Sequence, residues 1–199
     1  MSRDDPYFAH ELQAQMDSNP EWVERQRVRD MEIEAADQES RRIQSPLTAD
    51  LRAVGLQVAT VWDLGNRPID YPEAVPILVE HLKRDYPDRD RAGIALALAV
   101  PFAKSAYPTL VKLFREGQLT ETQDGLAAAI TATAGKNDYD EMLKLLWDKA
   151  LGPARVFFIQ YFRRHAGVDL ESILLRCQAD TELEPEATHW MKRKFRRKS

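Results

Sequence analysis

Gly93-Ile94-Ala95-Leu96-Ala97-Leu98-Ala99 and Gly125-Leu126-Ala127-Ala128-Ala129-Ile130-Thr131 superimpose after a shift of 32 residues, and each follows a short acidic turn. The segments before them agree at the same shift: Val75-Pro76-Ile77-Leu78-Val79-Glu80-His81-Leu82 lies over Tyr107-Pro108-Thr109-Leu110-Val111-Lys112-Leu113-Phe114. An internal repeat of this length predicts stacked helix pairs, because one pair alone cannot cover its apolar face. Such a stack displays a continuous surface instead of one deep pocket, which moves the expectation from catalysis to binding.

Working outward, strand signals are nearly absent, since no Val/Ile/Thr alternation persists and no Asn-Gly or Asp-Gly separates apolar runs. Helices are predicted near 6–16, 20–43, 48–63, 72–84, 88–103, 105–116, 120–135, 138–150, 153–166, 169–179 and 184–197. Asn19, Asp88, Thr120, Asp138 and Asp169 are the expected caps, and Gly65, Gly117, Gly135, Gly152 and Gly167 the expected exits. The alternation extends beyond the clearest pair. Leu110 and Phe114 shift by 33 onto Leu143 and Trp147, Leu143 shifts by 31 onto Leu174, and Ile94 and Leu98 shift by 64 onto Phe158 and Phe162. Phe157, Phe158, Tyr161 and Phe162 stand where earlier units use alanine, so the stack is expected to tighten or end there.

A period of 31 to 38 residues, Pro76 and Pro108 in first helices, and Asp88-Arg89-Asp90-Arg91 opening an Ala/Leu-rich second helix together resemble HEAT repeats over about 45–180. The resemblance implies an all-α superhelix, a solenoid of antiparallel helix pairs whose second helices line a concave surface. Such proteins commonly dock other proteins and sometimes nucleic acid; a bacterial regulatory or immunity protein is one role expected for this chain. Later units depart from the pattern: Glu141 stands where the proline would be, and Gln123-Asp124 replaces the Arg-bearing pair. The expected organisation is an acidic helical extension over 1–44, a HEAT-like domain over 45–183 and a basic capping helix over 184–199.

The chain of 199 residues is long enough to bury a substantial core. Its net charge of −4 divides unevenly, with the only basic block in residues 184–199. An acidic body with a short basic end is a poor match to a nucleic-acid-binding surface. A lone cysteine, Cys177, predicts a reduced compartment and a buried thiol. Without a signal-peptide core, and with a longest apolar run of Ala92 to Ala103, the sequence predicts a cytoplasmic protein without a membrane span. It also gives no reason to expect a cofactor or metal: His10, His81, His165 and His189 are scattered, and no phosphate loop or nucleophile elbow is present.

Three candidate surfaces follow. Arg52, Arg67, Arg89, Arg91 and Arg155 fall at or near second-helix starts and the turns before them, where successive units align; they could form a ladder for carboxylates or phosphates, or bond internally between units. Trp62, Asp63 and Arg67 combine an aromatic, a carboxylate and a guanidinium, the residue types with which HEAT-like alkylpurine DNA glycosylases handle a damaged base. Against that alternative, Trp62 fits a core position and Asp63 a helix end. The tail carries Lys192, Arg193, Lys194, Arg196, Arg197 and Lys198 beside Trp190, Met191 and Phe195, which suits an acidic partner or nucleic acid but also complements a helix C-terminus. Non-catalytic protein recognition is the leading expectation, with nucleic-acid binding as the alternative. The sequence does not specify an oligomeric state.

Overall fold

The computed structural model describes residues 18–66, 70–165 and 167–196, with no side-chain detail at 66, 168 and 194–196. Among the described residues every regular element is helical. The α-helices are α1 (Pro20–Ile43), α2 (Ser45–Ala53), α3 (Ala74–Leu82), α4 (Asp88–Ala97), α5 (Tyr107–Arg115), α6 (Thr120–Thr133), α7 (Tyr139–Trp147), α8 (Phe158–His165), α9 (Leu170–Cys177) and α10 (Glu184–Arg196), with 3₁₀ segments between several of them. The helix expected over 6–16 lies outside the described residues. None of the described helices is singly long and apolar enough to cross a membrane.

The chain divides into two compact units, residues 1–43 and 44–199. In the first, Asn19 caps α1 as expected, its Oδ1 accepting from the backbone N–H of Glu21 at 3.0 Å and of Trp22 at 3.4 Å. No residue of α1 is buried, and Val23, Val28, Met31 and Ile33 are exposed. Its charges pair along the helix, Arg27 with Glu24 and Arg42 with Glu39. Such exposed pairs contribute little stability each.

In the second unit burial recurs every 32 residues. Leu78, Leu110, Met142 and Leu174 occupy equivalent positions and are at most 1% exposed; Ile94, Leu126 and Phe158 do the same, as do Leu98, Ile130 and Phe162. The shift of 33 expected in the third unit is corrected by one residue. Met142 and Leu146 enter the core, whereas Leu143 and Trp147 are half-buried. One residue turns a helix by about 100°, so the slip would have moved the stripe off the core.

Second-helix segments pack on one another: α4 lies against the 3₁₀ segment Val61–Asn66 on one side and α6 on the other, and α6 also meets Pro153–Phe157 and α8. First helices pack on their own second helices, α3 on α4, α5 on α6 and α7 on α8, and α10 covers α9. Leu183, Ala187 and Met191 bury the inner side of that last layer. The Arg163 guanidinium lies over the Trp190 ring on it.

Several expected helices are interrupted. The helix over 48–63 stops at Ala53, because Gly55 at φ +89° closes a Schellman motif in which its N–H bonds Arg52 O and that of Leu56 bonds Leu51 O. The helix over 88–103 ends at Ala97, and Pro101 opens a separate 3₁₀ segment to Ala106. The segment from Pro153 begins as a 3₁₀ turn and becomes α-helical only at Phe158. Gly65 and Gly135 do not take the left-handed exit; Gly65 lies within Val61–Asn66 and Gly135 is extended.

The glycines of the opening stretches set the spacing. A Cβ on Gly125 would stand 2.9 Å from the Ala92 carbonyl oxygen and 3.1 Å from the Ala95 Cβ, so α6 approaches α4 to a distance that only glycine permits. A Cβ on Gly93 would stand 2.8 Å from a Val61 methyl and 2.9 Å from the Trp62 ring. Phe157 occupies the equivalent place in the third unit, where the backbone is a 3₁₀ turn instead of an α-helix.

Two outcomes are expected. Gly125→Ala gains about 1 kcal/mol of helix propensity but overpacks against a backbone carbonyl at a cost of about 1–3 kcal/mol. The clash wins because α4 cannot rotate that oxygen away; urea denaturation is expected to show a net loss, larger than for Gly93→Ala, whose neighbours are side chains. The Cys177 thiol is fully buried, and burial pushes its pKa up to about 12. Thiol-specific reagents are expected to leave it unmodified in the folded protein and to label it in denaturant.

Candidate functional site

The last turn of each first helix leaves carbonyls without intrahelical donors. A side chain from the following second helix reaches back nine residues to one of them, at a spacing of 32. Arg91 Nε donates to Leu82 O at 2.9 Å, Gln123 Nε2 to Phe114 O at 3.0 Å, and a terminal guanidinium nitrogen of Arg155 to Leu146 O at 3.0 Å. These bonds fasten the two helices of a pair at their turn. A cation there also complements the negative end of the first helix's dipole.

The two arginines extend forward to the next turn, and glutamine does not. Arg91 donates to Gln118 Oε1 at 2.5 Å, and Gln118 in turn donates to Leu113 O at 3.0 Å. Arg155 donates to Asp180 at 3.1 and 3.4 Å and to Glu182. Gln118 and Glu182 each lie 27 residues beyond their arginine. The corresponding residue for Gln123 is Ala150, which offers no acceptor side chain.

Asp88 gives the first joint a second tie. Its carboxylate accepts from the backbone N–H of Glu121 at 3.0 Å and of Thr122 at 2.8 Å, capping α6 from the preceding pair, while Thr122 Oγ1 donates to Asp88 O at 3.2 Å. Burial opposes its charge, but the hydrogen bonds from Thr122 and Glu121 prevail and hold the Asp88 carboxyl below the usual range. Thr120, expected as the cap of α6, makes no capping bond there; the donated carboxylate takes its place. Thr120 and Gly152 stand where Asp88 would be in the later joints.

At the middle joint these differences leave a cavity of about 440 Å³ between the turn after α5 and the turn before Pro153. Arg115, Glu116, Gln123, Asp124, Leu151 and Pro153 are among its walls. Gln123 is 9% exposed, and its buried Oε1 has no hydrogen-bond partner among the described residues. Arg115 is turned to Glu141 at 2.5 Å, whereas Lys112 comes only within 3.9 Å of Glu116. Burial, reinforced by Asp88, raises the Asp124 carboxyl above its ordinary pKa.

The sequence-predicted residues separate by location. Arg155 is 1% exposed and Arg91 half-buried, so both guanidiniums are committed inside joints instead of forming an outward row. Arg89 and Arg52 are exposed, Arg52 within 3.4 Å of Thr48 Oγ1. Trp62 is 37% exposed against Gly93. Asp63 Oδ2 accepts from the backbone N–H of Ala59 at 2.7 Å and of Thr60 at 3.1 Å, at the start of the 3₁₀ segment. Arg67, Arg197 and Lys198 lie outside the described residues, as do the side chains of Lys194 and Arg196; Lys192 and Arg193 are exposed on α10.

Sequence reasoning missed the residues that bind across longer separations. Gln44 is fully buried and joins Asp90 at 2.6 Å to the Val61 N–H at 2.7 Å. His81 is 1% exposed and bridges Tyr86 at 2.7 Å and Asp50 at 2.9 Å. Gln118 and Glu182 had a signal available, their common distance from Arg91 and Arg155. Among the described residues no group of three His, Cys, Asp or Glu side chains is placed to hold a metal.

Arg155→Met removes the guanidinium from Asp180, Glu182 and Leu146 O, leaving Asp180 only the Glu182 N–H and a distant Lys149, and neutral-pH stability is expected to fall by about 2–4 kcal/mol, less than for a fully enclosed pair because Glu182 is 38% exposed. Arg91→Met removes bonds to neutral acceptors and is expected to cost about 1 kcal/mol. Hydrogen bonding from Arg155 holds the Asp180 carboxyl below the usual range. A carboxyl depressed in the folded state stabilises fully above its unfolded pKa, about 3.9, and loses that contribution as pH falls through the folded value. Denaturation at pH 7 and at about pH 3 is therefore expected to show a smaller acid-induced loss in Arg155→Met than in the parent.

No protein-family model matches the chain, and no curated protein or solved structure shows significant similarity to it.

Proposed function

We propose that residues 45–183 form a small α-solenoid of HEAT-like helix pairs, capped by the basic helix α10, and that its work is non-catalytic recognition of a protein partner. The observation that carries this reading is the 32-residue recurrence of the side-chain bond to a first-helix carbonyl at residues 91, 123 and 155. The shared bond puts corresponding positions of the second-helix segments 32 residues apart along the chain. Leu96 is 42% exposed, Ala128 half-buried and Gln160 exposed, at that same interval. A packed array of this kind presents its groups already ordered, which lowers the entropic cost of binding an extended or helical partner.

Nucleic-acid binding is the second reading, carried by exposed Lys192 and Arg193 on α10. The net acidity of the rest of the chain weighs against it. A base-excision role would need a free carboxylate at Asp63, whose Oδ2 is engaged by two backbone N–H groups.

Affinity capture of the full chain from its native extract, with nuclease and a salt series, tests the proposal. The expected result is a stoichiometric protein that survives nuclease and moderate salt and is weakened by Arg89→Glu. Recovery of nucleic acid alone, released steeply by salt and lost on truncation from Lys192, would overturn it.

A further inference from the structure

The three joints share a backbone plan, and the middle one lacks the side chain that fills the others. In the first, Arg91 spans from Leu82 O to Gln118; in the last, Arg155 spans from Leu146 O to Asp180 and Glu182. At the middle joint Gln123 reaches Phe114 O and stops, Ala150 offers nothing to reach for, and the cavity opens between them. Gln123 is more than nine-tenths buried on that wall, with an acceptor oxygen left over. An unpaired acceptor in such a place loses its hydration without compensation.

The chemistry of the walls specifies what would fill it. The unmet group is an acceptor, so the ligand must donate. Glu116 and Asp124 supply negative charge, while Arg115, the one cationic wall residue among the described residues, is drawn to Glu141. Phe114, Leu151 and Pro153 provide apolar surface for a methylene stem. A planar guanidinium on such a stem is what the neighbouring joints already hold, and its several fixed donors suit a carboxylate and an amide oxygen together.

We infer that the middle joint is a socket for an arginine side chain of a partner polypeptide, which completes from outside the clamp that Arg91 and Arg155 complete from within. The socket rests on the protein-recognition reading and names the partner's anchoring residue. Glu116 and Asp124 give charge complementarity, and the Gln123 side chain shifts to share its Oε1 with the incoming donor.

The test uses the full chain labelled with ¹⁵N and three short peptides, acetyl-Ala-X-Ala-amide with X arginine, lysine or citrulline. Citrulline keeps the shape and removes the charge. The arginine peptide is expected to shift the Gln123 side-chain amide and the Gly117 and Gly152 backbone amides in a saturable way, with affinity at least about tenfold above lysine or citrulline, a difference of about 1.4 kcal/mol. Asp124→Asn is expected to weaken it severalfold. The double variant Gln123→Arg with Ala150→Gln rebuilds the Arg91–Gln118 arrangement and is expected to abolish the shifts. Absence of localised shifts at about 10 mM peptide, or equal response to all three peptides, would overturn the socket without reference to any variant. A captured protein partner that binds the double variant unchanged would overturn it too, while leaving the protein-recognition reading intact.

Discussion

Each first helix of the larger unit ends in carbonyls that have no donor of their own, and how they are satisfied organises what surrounds them. The donors come from residues 91, 123 and 155, one turn or less into the following second-helix segment. That bond fixes the turn between the two helices, and with it the direction in which the second helix leaves. Where the donor is arginine, spare guanidinium hydrogens continue to the next turn and tie neighbouring pairs together. Where it is glutamine, the tie ends and the turn stays open.

Close approach of second helices supplies the other half of the architecture. Gly125 lets α6 ride against the Ala92 backbone and the Ala95 methyl. With the helices so near, dispersion contacts are dense and little space remains for rearrangement. The third second-helix segment meets α6 differently. Phe157, Phe158, Tyr161 and Phe162 are bulkier, and the backbone enters through a 3₁₀ turn. Tyr161 OH donates to Gly135 O at 2.8 Å, and Thr131 Oγ1 to Phe157 O at 3.3 Å, so this interface is held by polar groups as well as by rings.

The helical class and the 32-residue interval between the first two clear units were legible because Gly93 and Gly125 head almost identical Ala/Leu runs. The third unit was misaligned by one residue because Leu143 and Trp147 are more apolar in type than their surroundings require. Burial is decided by register against α8, which composition does not report. The helix expected over 48–63 ran through Gly55, which instead takes a positive φ and closes the helix after Ala53. Arg91 and Arg155 belonged to an expected row of five arginines, of which these two bond a first-helix carbonyl nine residues back. The acceptors beyond that carbonyl, Gln118 and Glu182, lie 27 residues later, and their only sign in the sequence is that shared interval. The open middle joint had its sign in the sequence, the replacement of the arginine by Gln123.

Two joints are clamped by arginine and the one between them is not. Native-state hydrogen exchange of the full chain measures this most directly, because local opening scales with the contacts that resist it. The Glu121 and Thr122 amides are held by Asp88 at the first joint, whereas Ala150, Leu151 and Gly152 lie on the wall of the open middle joint. The account predicts that, within these turns, the amides of Ala150 to Gly152 facing the cavity exchange faster than those of Glu121 and Thr122, which Asp88 caps. Equal protection at the two turns, or stronger protection around Gly152, would contradict it.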